Sequence, residues 1–366
     1  MPTVRLTLPP RAYDIVIEPG VLARAGALVA RAAPHARAAV VVDEAVADSY
    51  GRQVREALGA AGYDAAACLM PASETHKTLD TVASLLDTML DHRMERRSPV
   101  VAVGGGITGD VAGYAAASLL RGVPFVQSPT TLLAMVDASV GGKTGVNTRQ
   151  GKNLVGAFHQ PVLVLIDPDT LATLPPRELR GGLAECVKHG VIRDADLFTW
   201  IDANVDKILA LECDTLVELV RRNVAIKAAV VQEDEKEQGV RAHLNFGHTF
   251  AHAIEATQDK SAGADPYSHG EAVALGMTAA TRLAVDAGRC AASVYDLLVA
   301  LLERIGLPTS SDRLAEDEAL LAVMRSDKKV RDGQVRLVLP DRMGAVSVVD
   351  DTPEGAVRSA WASLRG

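Results

Sequence analysis

The sequence predicts an α/β N-terminal domain followed by an all-α C-terminal domain, and three observations support this fold class. Apolar runs of strand length alternate with helical stretches in the first half, whereas helical patterns dominate the second half. The chain has 366 residues, which exceeds the roughly 250–300 at which a single hydrophobic core stops growing. Because Pro175 and Pro176 can end one pattern and start a helix, we predict domains at residues 1–174 and 175–366.

Several of the predicted strands are continuous apolar runs rich in Val and Ile, as expected for strands buried on both faces. The strand candidates are Tyr13–Ile17, Ala39–Val42, Ala65–Met70, Pro99–Val103, Pro124–Gln127 and Val162–Ile166. Helices are predicted between them, for example Glu44–Ala61 and Leu79–His92. The order strand, helix, strand predicts a mostly parallel sheet covered on both sides.

The second half is predicted to form one helix after another. These helices are Arg177–Gly190, Asp196–Ala203, Asp214–Glu233, Thr249–Thr257 and Gly270–Gly288. A short hairpin, Val335–Leu339 with Ala345–Val349, is predicted near the end of the chain.

Charge and composition exclude several classes of protein. A net charge of −8 gives no general electrostatic reason to bind nucleic acid. The four cysteines are far apart and form no C-x-x-C pair, which argues against a disulfide framework and against a thiolate zinc site. Since we find neither a signal-peptide pattern nor an apolar run of about 18 residues, we expect a cytoplasmic protein without a membrane span.

A glycine-rich turn follows the predicted strand Pro99–Val103. Residues 104–110 read GGGITGD and match G-x-G-x-x-G between a strand and a helix, where backbone N–H groups can approach a pyrophosphate. A tight turn needs glycines too, so the pattern alone leaves both interpretations open. The acidic residue expected about 20 positions later is missing, and Asp43, Glu74 and Lys77 are the charged groups that could replace it.

A second glycine-rich segment covers residues 137–153, DASVGGKTGVNTRQGKN. Glycines bracket Lys143 and Lys152, so this segment could wrap an anion with its backbone N–H groups. The alternative is a flexible surface loop with ordinary lysines.

Histidines at the starts of two predicted helices indicate a metal site. His248 and His252 are four residues apart and project from one helix face, and His269 opens the next helix. Zinc that acts as a Lewis acid needs three protein ligands and one open position. Glu185 and Glu271 compete for the carboxylate ligand, and spacing alone does not choose between them. A single histidine in such a place is more often a cap or a surface residue.

Five long segments resemble the 3-dehydroquinate synthase family, in order and over nearly the whole chain. They are residues 104–122, 129–153, 178–190, 234–255 and 269–277, and residues 327–329 (DKK) fit as well. Met135 and His189 depart from the family pattern, and residues 258–267 form an unusual loop. The resemblance implies a dehydroquinate synthase-like fold with a nucleotide-binding α/β domain and a helical metal-binding domain.

The resemblance also implies site residues. Zinc, which cobalt could replace, would be held by Glu185, His248 and His269. NAD would contact Asp43, Glu74, Lys77, Gly105, Gly106, Ile107, Thr108, Gly109, Asp110, Thr130, Thr131, Asp137, Lys143, Lys152, Thr170, Leu171 and Thr173. Substrate would contact Arg121, Asp137, Lys143, Lys152, Asn153, Lys188, Lys227, Glu237, Arg241, Asn245, His252 and either Lys328 or Lys329.

The implied reaction converts 3-deoxy-arabino-heptulosonate 7-phosphate into 3-dehydroquinate and phosphate, within the shikimate pathway of aromatic amino acid biosynthesis. The partner is then a small phosphorylated keto acid, and a homodimer is implied. The alternatives are another sugar phosphate cyclase or a metal-dependent NAD polyol dehydrogenase of the same fold. The dehydrogenase would need NAD and metal but not the cluster of anion-binding cations. A nucleotide-sensing regulatory protein would not need the metal ligands.

Overall fold

The computed structural model describes residues 3–9, 11–258, 265–326 and 336–365. The chain forms two compact units, Met1–Leu174 with Leu211–Lys236, and Pro175–Ala210 with Glu237–Gly366. The first unit contains a parallel sheet and helices, and the second is mostly helical. The predicted fold class is therefore confirmed. Among the described residues, no helix is both long and apolar enough to span a membrane.

The strands and helices are numbered along the chain. The strands are β1 Thr3–Leu8, β2 Arg11–Ile17, β3 Arg37–Asp43, β4 Asp64–Met70, β5 Val100–Gly104, β6 Phe125–Pro129, β7 Lys143–Thr148, β8 Gly151–Phe158, β9 Leu163–Ile166, β10 Leu337–Arg342 and β11 Ala345–Val349. The α-helices are α1 Ala25–Ala32, α2 Arg52–Ala60, α3 Leu79–Asp91, α4 Gly106–Ser118, α5 Pro176–Arg193, α6 Ala195–Leu209, α7 Cys213–Glu233, α8 His248–Thr257, α9 His269–Asp286, α10 Ala292–Ile305, α11 Asp317–Ser326 and α12 Glu354–Leu364.

The first unit is built on a seven-stranded sheet with the order β1-β2-β9-β6-β5-β3-β4. Only β1 runs antiparallel to its neighbour within this sheet. The chain continues outward from β3 to β4 and then returns to place β5 on the other side of β3, so the strand order reverses between β3 and β5. In open α/β sheets, ligands bind beyond the carboxyl ends of the strands at such a reversal.

The inner strands β3, β5, β6 and β9 are buried on both faces, as their apolar runs predict, whereas the edge strands β1 and β4 are partly exposed. On β3, Ala39 and Val41 belong to a core that includes residues of α3 and α4, whereas Val40 and Val42 belong to a core that includes residues of α1 and α2. Successive side chains of a strand point to opposite faces. A strand with helices on both sides therefore needs the uninterrupted apolar sequence that β3 and β5 have.

Two segments differ from the sequence-based predictions. Leu211–Lys236, predicted in the second domain, lies in the first unit, where α7 packs against β1 and β2. Residues 143–158, predicted mostly as a glycine-rich loop, form the antiparallel hairpin β7–β8. The hairpin is possible because β7 packs on α4 where Gly113 has no side chain, and a Cβ there would lie 2.4 Å from Thr144 Cγ2.

In the second unit, α5, α8 and α9 pack closely, and glycines set two of the contacts. A Cβ on Gly270 would lie 2.3 Å from the carbonyl oxygen of Gly181, so α9 approaches α5 backbone to backbone. A Cβ on Gly276 would lie 2.1 Å from the carbonyl oxygen of Gly247, just before α8. The hairpin β10–β11, close to its predicted place, belongs to the same unit.

We predict that Gly270→Ala destabilises the protein, although alanine normally favours helix. Because the added methyl group would meet backbone that cannot rotate away, α5 and α9 must move apart, which costs about 1–3 kcal/mol of unfolding free energy. Gly59→Ala in α2 is the matched control, since nothing lies within 4 Å of its Cβ position. Chemical denaturation should show a loss for the first variant only, and an equal effect of both would contradict the packing argument.

Candidate metal centre and nucleotide site

Three ligand atoms from three helices of the second unit meet at one point. Single ligand atoms of Glu185, His248 and His269 all lie within 4.8 Å of one another. The Nε2 atoms of His248 and His269 are 3.5 and 3.6 Å from the same oxygen, Oε1 of Glu185. The carboxylate is completely buried. One carboxylate and two imidazoles suit zinc and leave a fourth position for another ligand.

The outer nitrogens of both imidazoles face acceptors, as is usual around metal ligands. His248 Nδ1 is 3.1 Å from the carbonyl oxygen of Phe246, and His269 Nδ1 is 3.5 Å from Oε1 of Glu255. Both arrangements leave Nε2 directed at Glu185. Sequence analysis missed Glu255, although His248, His252 and Glu255 share the i, i+4, i+7 spacing of one helix face.

The pKa values of the two histidines are shifted in opposite directions. Burial, together with the Lys188 ammonium, holds the pKa of His248 well below its usual value. Burial also acts to lower the pKa of His269, but hydrogen bonds to Glu185 and Glu255 raise it to about 10. The carboxylates thus favour positive charge at His269, and a divalent cation bound there would replace the proton.

Glu271 is occupied elsewhere, which separates it from Glu185. Its Oε2 accepts hydrogen bonds from Arg177 at 2.6 Å and from the Ser268 backbone at 2.8 Å, completing a capping box at the start of α9. Among the described residues, the cluster able to hold a metal contains Glu185 and not Glu271. The alternative that spacing left open is resolved by an arginine 94 positions away in the sequence.

Other residues proposed to bind substrate lie around this cluster or near it in the sequence. Lys188, itself buried, forms an ion pair with Glu185 one helical turn away. The ring centroid of His252 lies 5.8 Å from that of His248, outside the three-ligand group. Asn245 donates to Glu237 at 2.8 Å, and Arg241 is buried in the turn before α8.

In the first unit, the glycine-rich turn lies at the strand-order reversal. Gly104 ends β5, and α4 starts at Gly106 without a side-chain cap. A Cβ on Gly104 would lie 3.0 Å from Cβ of Asp43, which ends β3. A Cβ on Gly109 would lie 2.7 Å from Gln127 Oε1. The turn has the features of a dinucleotide-binding turn: an uncapped helix start, close helix–strand packing and an acidic group on the adjacent strand.

Further proposed NAD residues border the same edge of the sheet. Thr130 follows β6, and its N–H donates to Gly104 at 2.9 Å, while Thr131 Oγ1 accepts from Ala134. The turn Pro168–Thr173, with Thr170 and the buried Leu171, follows β9. The remaining members of the 104–110 run, Ile107 and Thr108, lie in the first turn of α4.

Lys77 connects the turn with the hairpin rather than lying free as a loop charge. Its Nζ, almost completely buried, donates to Asp110 at 2.5 Å and to Asn153 Oδ1 at 2.6 Å. Lys143 and Lys152 are exposed at opposite ends of the β7–β8 hairpin, since Lys143 pairs with Phe158 while Lys152 follows Gly151. The two lysines therefore do not belong to one tight loop.

The last substrate candidates are scattered in sequence. Lys227, in α7, is buried and forms an ion pair with Asp137 within the first unit. Arg121 is exposed and has a positive φ of 70°. Lys328 and Lys329 lie outside the described residues.

Comparison with known proteins gives the family. Residues 67–181 match the profile of the 3-dehydroquinate synthase N-terminal domain, and residues 182–330 match that of the C-terminal domain. The chain belongs to the 3-dehydroquinate synthase family. A 3-dehydroquinate synthase of Microcystis aeruginosa is 47% identical over 357 residues, which cover 97% of this chain and 96% of the relative.

The chain is also similar to solved structures of two enzymes that are not named 3-dehydroquinate synthase. The 2-epi-5-epi-valiolone synthase of Streptomyces hygroscopicus, determined with NAD⁺ and Zn²⁺, is 31% identical with a TM-score of 0.87 and 98% coverage of both chains. A 2-deoxy-scyllo-inosose synthase complexed with carbaglucose-6-phosphate, NAD⁺ and Co²⁺ is 25% identical with a TM-score of 0.90, covering 99% of this chain and all of that one.

We predict that the protein binds one divalent cation per chain and that Glu185→Gln abolishes this binding. Glutamine keeps the size of the side chain but removes the buried negative charge that balances the cation. Glu271→Gln is the matched control, because glutamine can still complete a capping box. Elemental analysis after dialysis should find metal in the control only, and retention by Glu185→Gln would refute the assignment.

His252 provides a second test of the ligand set. His248→Ala should lose the metal and His252→Ala should retain it, because His252 lies outside the three-ligand group. Equal metal loss in both variants would show that His252 is a ligand.

Proposed function

We propose that this protein catalyses the 3-dehydroquinate synthase reaction, using NAD and zinc. Full-length similarity to proteins of that name carries the proposal. The three-ligand cluster and the glycine-rich turn at the strand-order reversal supply sites of the right chemistry for the two cofactors. The substrate would be 3-deoxy-arabino-heptulosonate 7-phosphate, and the products 3-dehydroquinate and inorganic phosphate.

The reaction is an internal oxidation, elimination, reduction and ring closure. When bound, NAD would accept a hydride from the substrate and return it later, while zinc would polarise the oxygen atoms at the reacting carbons. The temporary ketone acidifies the neighbouring C–H bond, so that its proton can pass to the substrate's own phosphate as the C–O bond breaks and phosphate leaves by elimination. After the hydride returns, the hemiketal ring of the substrate opens. The resulting enolate attacks the ketone that this opening exposes, so the net change is loss of phosphate and closure of a carbocyclic ring.

The first unit supplies two groups of proposed contacts. Asp43 and the N–H groups of the 104–110 turn would hold the ribose and pyrophosphate of NAD, because helix starts favour anions and carboxylates accept from ribose hydroxyls. Lys143, Lys152 and Arg121 would face anionic groups of the ligands. A substrate with a phosphate and a carboxylate needs several cationic donors, which a neutral polyol does not.

The second unit would orient the reacting carbons. Glu185, His248 and His269 would hold zinc, and His252, next to this group, could hold or move a proton at the substrate. Arg241, Lys188 and Asn245 would supply donors to substrate oxygens. Because these side chains are buried or hydrogen-bonded in fixed positions, they can position several successive steps without rearranging.

We further propose a cytoplasmic homodimer. The dimer is supported by the resemblance to the 3-dehydroquinate synthase family, which implies a homodimer. Analytical ultracentrifugation of the purified protein tests it, because a monomer at micromolar concentration would reject this part of the proposal.

We predict that heptulosonate phosphate releases stoichiometric phosphate without net accumulation of NADH. The returned hydride leaves the cofactor as it began, so absorbance in the near ultraviolet should stay flat while a phosphate assay rises. Accumulation of NADH without phosphate release would identify a dehydrogenase instead. Turnover of a different sugar phosphate, with none of heptulosonate phosphate, would indicate another cyclase.

We also predict that Lys143→Ala and Lys152→Ala each lower kcat/KM for phosphate release by at least roughly tenfold, the effect of losing one charge-assisted hydrogen bond. Zinc content should stay normal, because both lysines belong to the first unit, whereas the three metal ligands belong to the second. Arg149→Ala is the matched control, as it removes an exposed cation from the same hairpin. A similar loss in all three variants would point to a general charge effect.

A further inference from the structure

We propose that Asn147 is a positioning residue that links the side chains proposed to bind NAD with Asn153, which is proposed to bind substrate. This inference rests on the proposed function, since the two ligand assignments come from it. Asn147 and all its contacts lie within the first unit.

The β7–β8 ladder shifts register at Asn147. Val146 pairs with Val155, but Thr148 pairs with Gly151, so Asn147 lies at a bulge. Its backbone N–H donates to the carbonyl oxygen of Lys77 at 2.7 Å instead of to the partner strand. Bulges redirect side chains near functional sites. This one attaches the hairpin to the Glu74–Lys77 segment.

The side-chain amide of Asn147 uses both ends. Its Oδ1 accepts from the backbone N–H of Asn153 at 2.9 Å, and its Nδ2 donates to Glu74 Oε2 at 2.7 Å. The reversed amide would place an NH₂ group against an N–H and an oxygen against a carboxylate. Only one orientation therefore satisfies both partners.

The backbone of Asn153 has a conformation that these contacts stabilise. Its φ is 52°, in the left-handed region, which is uncommon for residues other than glycine, although asparagine adopts it more readily than most. Asn147 holds its backbone, and Lys77 holds its side chain while also binding Asp110. Lys77 belongs to the Glu74–Lys77 segment, and Asn147 is hydrogen-bonded to it. A ligand that orders this segment therefore also orders Asn153, and by linkage the effect is reciprocal.

Asn147→Asp separates the two halves of the amide. A carboxylate can still accept from the Asn153 N–H but repels Glu74. We expect the NAD dissociation constant, measured by equilibrium dialysis of the zinc-loaded protein, to rise about tenfold. At saturating NAD, KM and kcat for heptulosonate phosphate should stay within about twofold of the wild-type values, since the Asn153 support remains.

Asn147→Ala removes both contacts. Besides weaker NAD binding, kcat/KM for heptulosonate phosphate should fall about tenfold even at saturating NAD, because the Asn153 backbone loses its acceptor and only the Lys77 contact to its side chain remains. A merely structural asparagine would not produce this split between the two variants. If the alanine variant fails to fold, the aspartate variant decides, with its thermal unfolding compared to wild type.

Gln150→Ala, an exposed change at the tip of the same hairpin, should leave all these constants unchanged. The inference is wrong if both Asn147 variants match this control, or if Asn147→Asp weakens NAD and substrate equally. Should wild-type protein bind NAD but release no phosphate from heptulosonate phosphate, the proposed function fails. The NAD comparison of Asn147→Asp with Gln150→Ala would still decide whether Asn147 positions Glu74.

Discussion

The buried carboxylate of Glu185 is the constraint on which the second unit depends. A charge withdrawn from water destabilises a fold by several kcal/mol unless charged or hydrogen-bonding partners surround it. Lys188 supplies one partner from the same helix, but the two histidines come from α8 and α9. These helices must therefore approach α5 closely. Glycines at positions where any Cβ would meet backbone permit that approach, so helix packing and the metal-like cluster require each other.

The first unit applies the same rule to a buried cation. Lys77 is nearly inaccessible to water, and its ammonium group is satisfied by Asp110 at the glycine-rich turn and by Asn153 on the hairpin. Loss of either partner would leave a buried ammonium donor unsatisfied and lower the free energy of unfolding. The turn, the segment before α3 and the hairpin are therefore held in one arrangement. This rigidity matters for a site that must keep a cofactor and a substrate aligned through several steps.

The sequence predicted elements whose cause is local and missed those whose cause is distant. Buried strands such as β3 are visible as apolar runs, and the helix start at Gly106 is visible as glycines. In contrast, β8 is largely exposed and glycine-containing, so its pairing with β7 left no hydrophobic pattern. The choice between Glu185 and Glu271 depended on Arg177, far away in the sequence. Most site residues were reached through the whole-chain resemblance rather than through local patterns.

Helix α7 illustrates why such residues escape local analysis. The chain leaves the first unit after Leu174 and returns for Leu211–Lys236, although its sequence resembles that of the surrounding helices. Within the first unit, the buried Lys227 of α7 forms an ion pair with Asp137, which lies 90 positions earlier in the sequence. An amphipathic pattern specifies that one face is buried but not against which element. The buried ammonium of Lys227 restricts which element the face can pack against, because a buried ammonium is stable only beside a carboxylate.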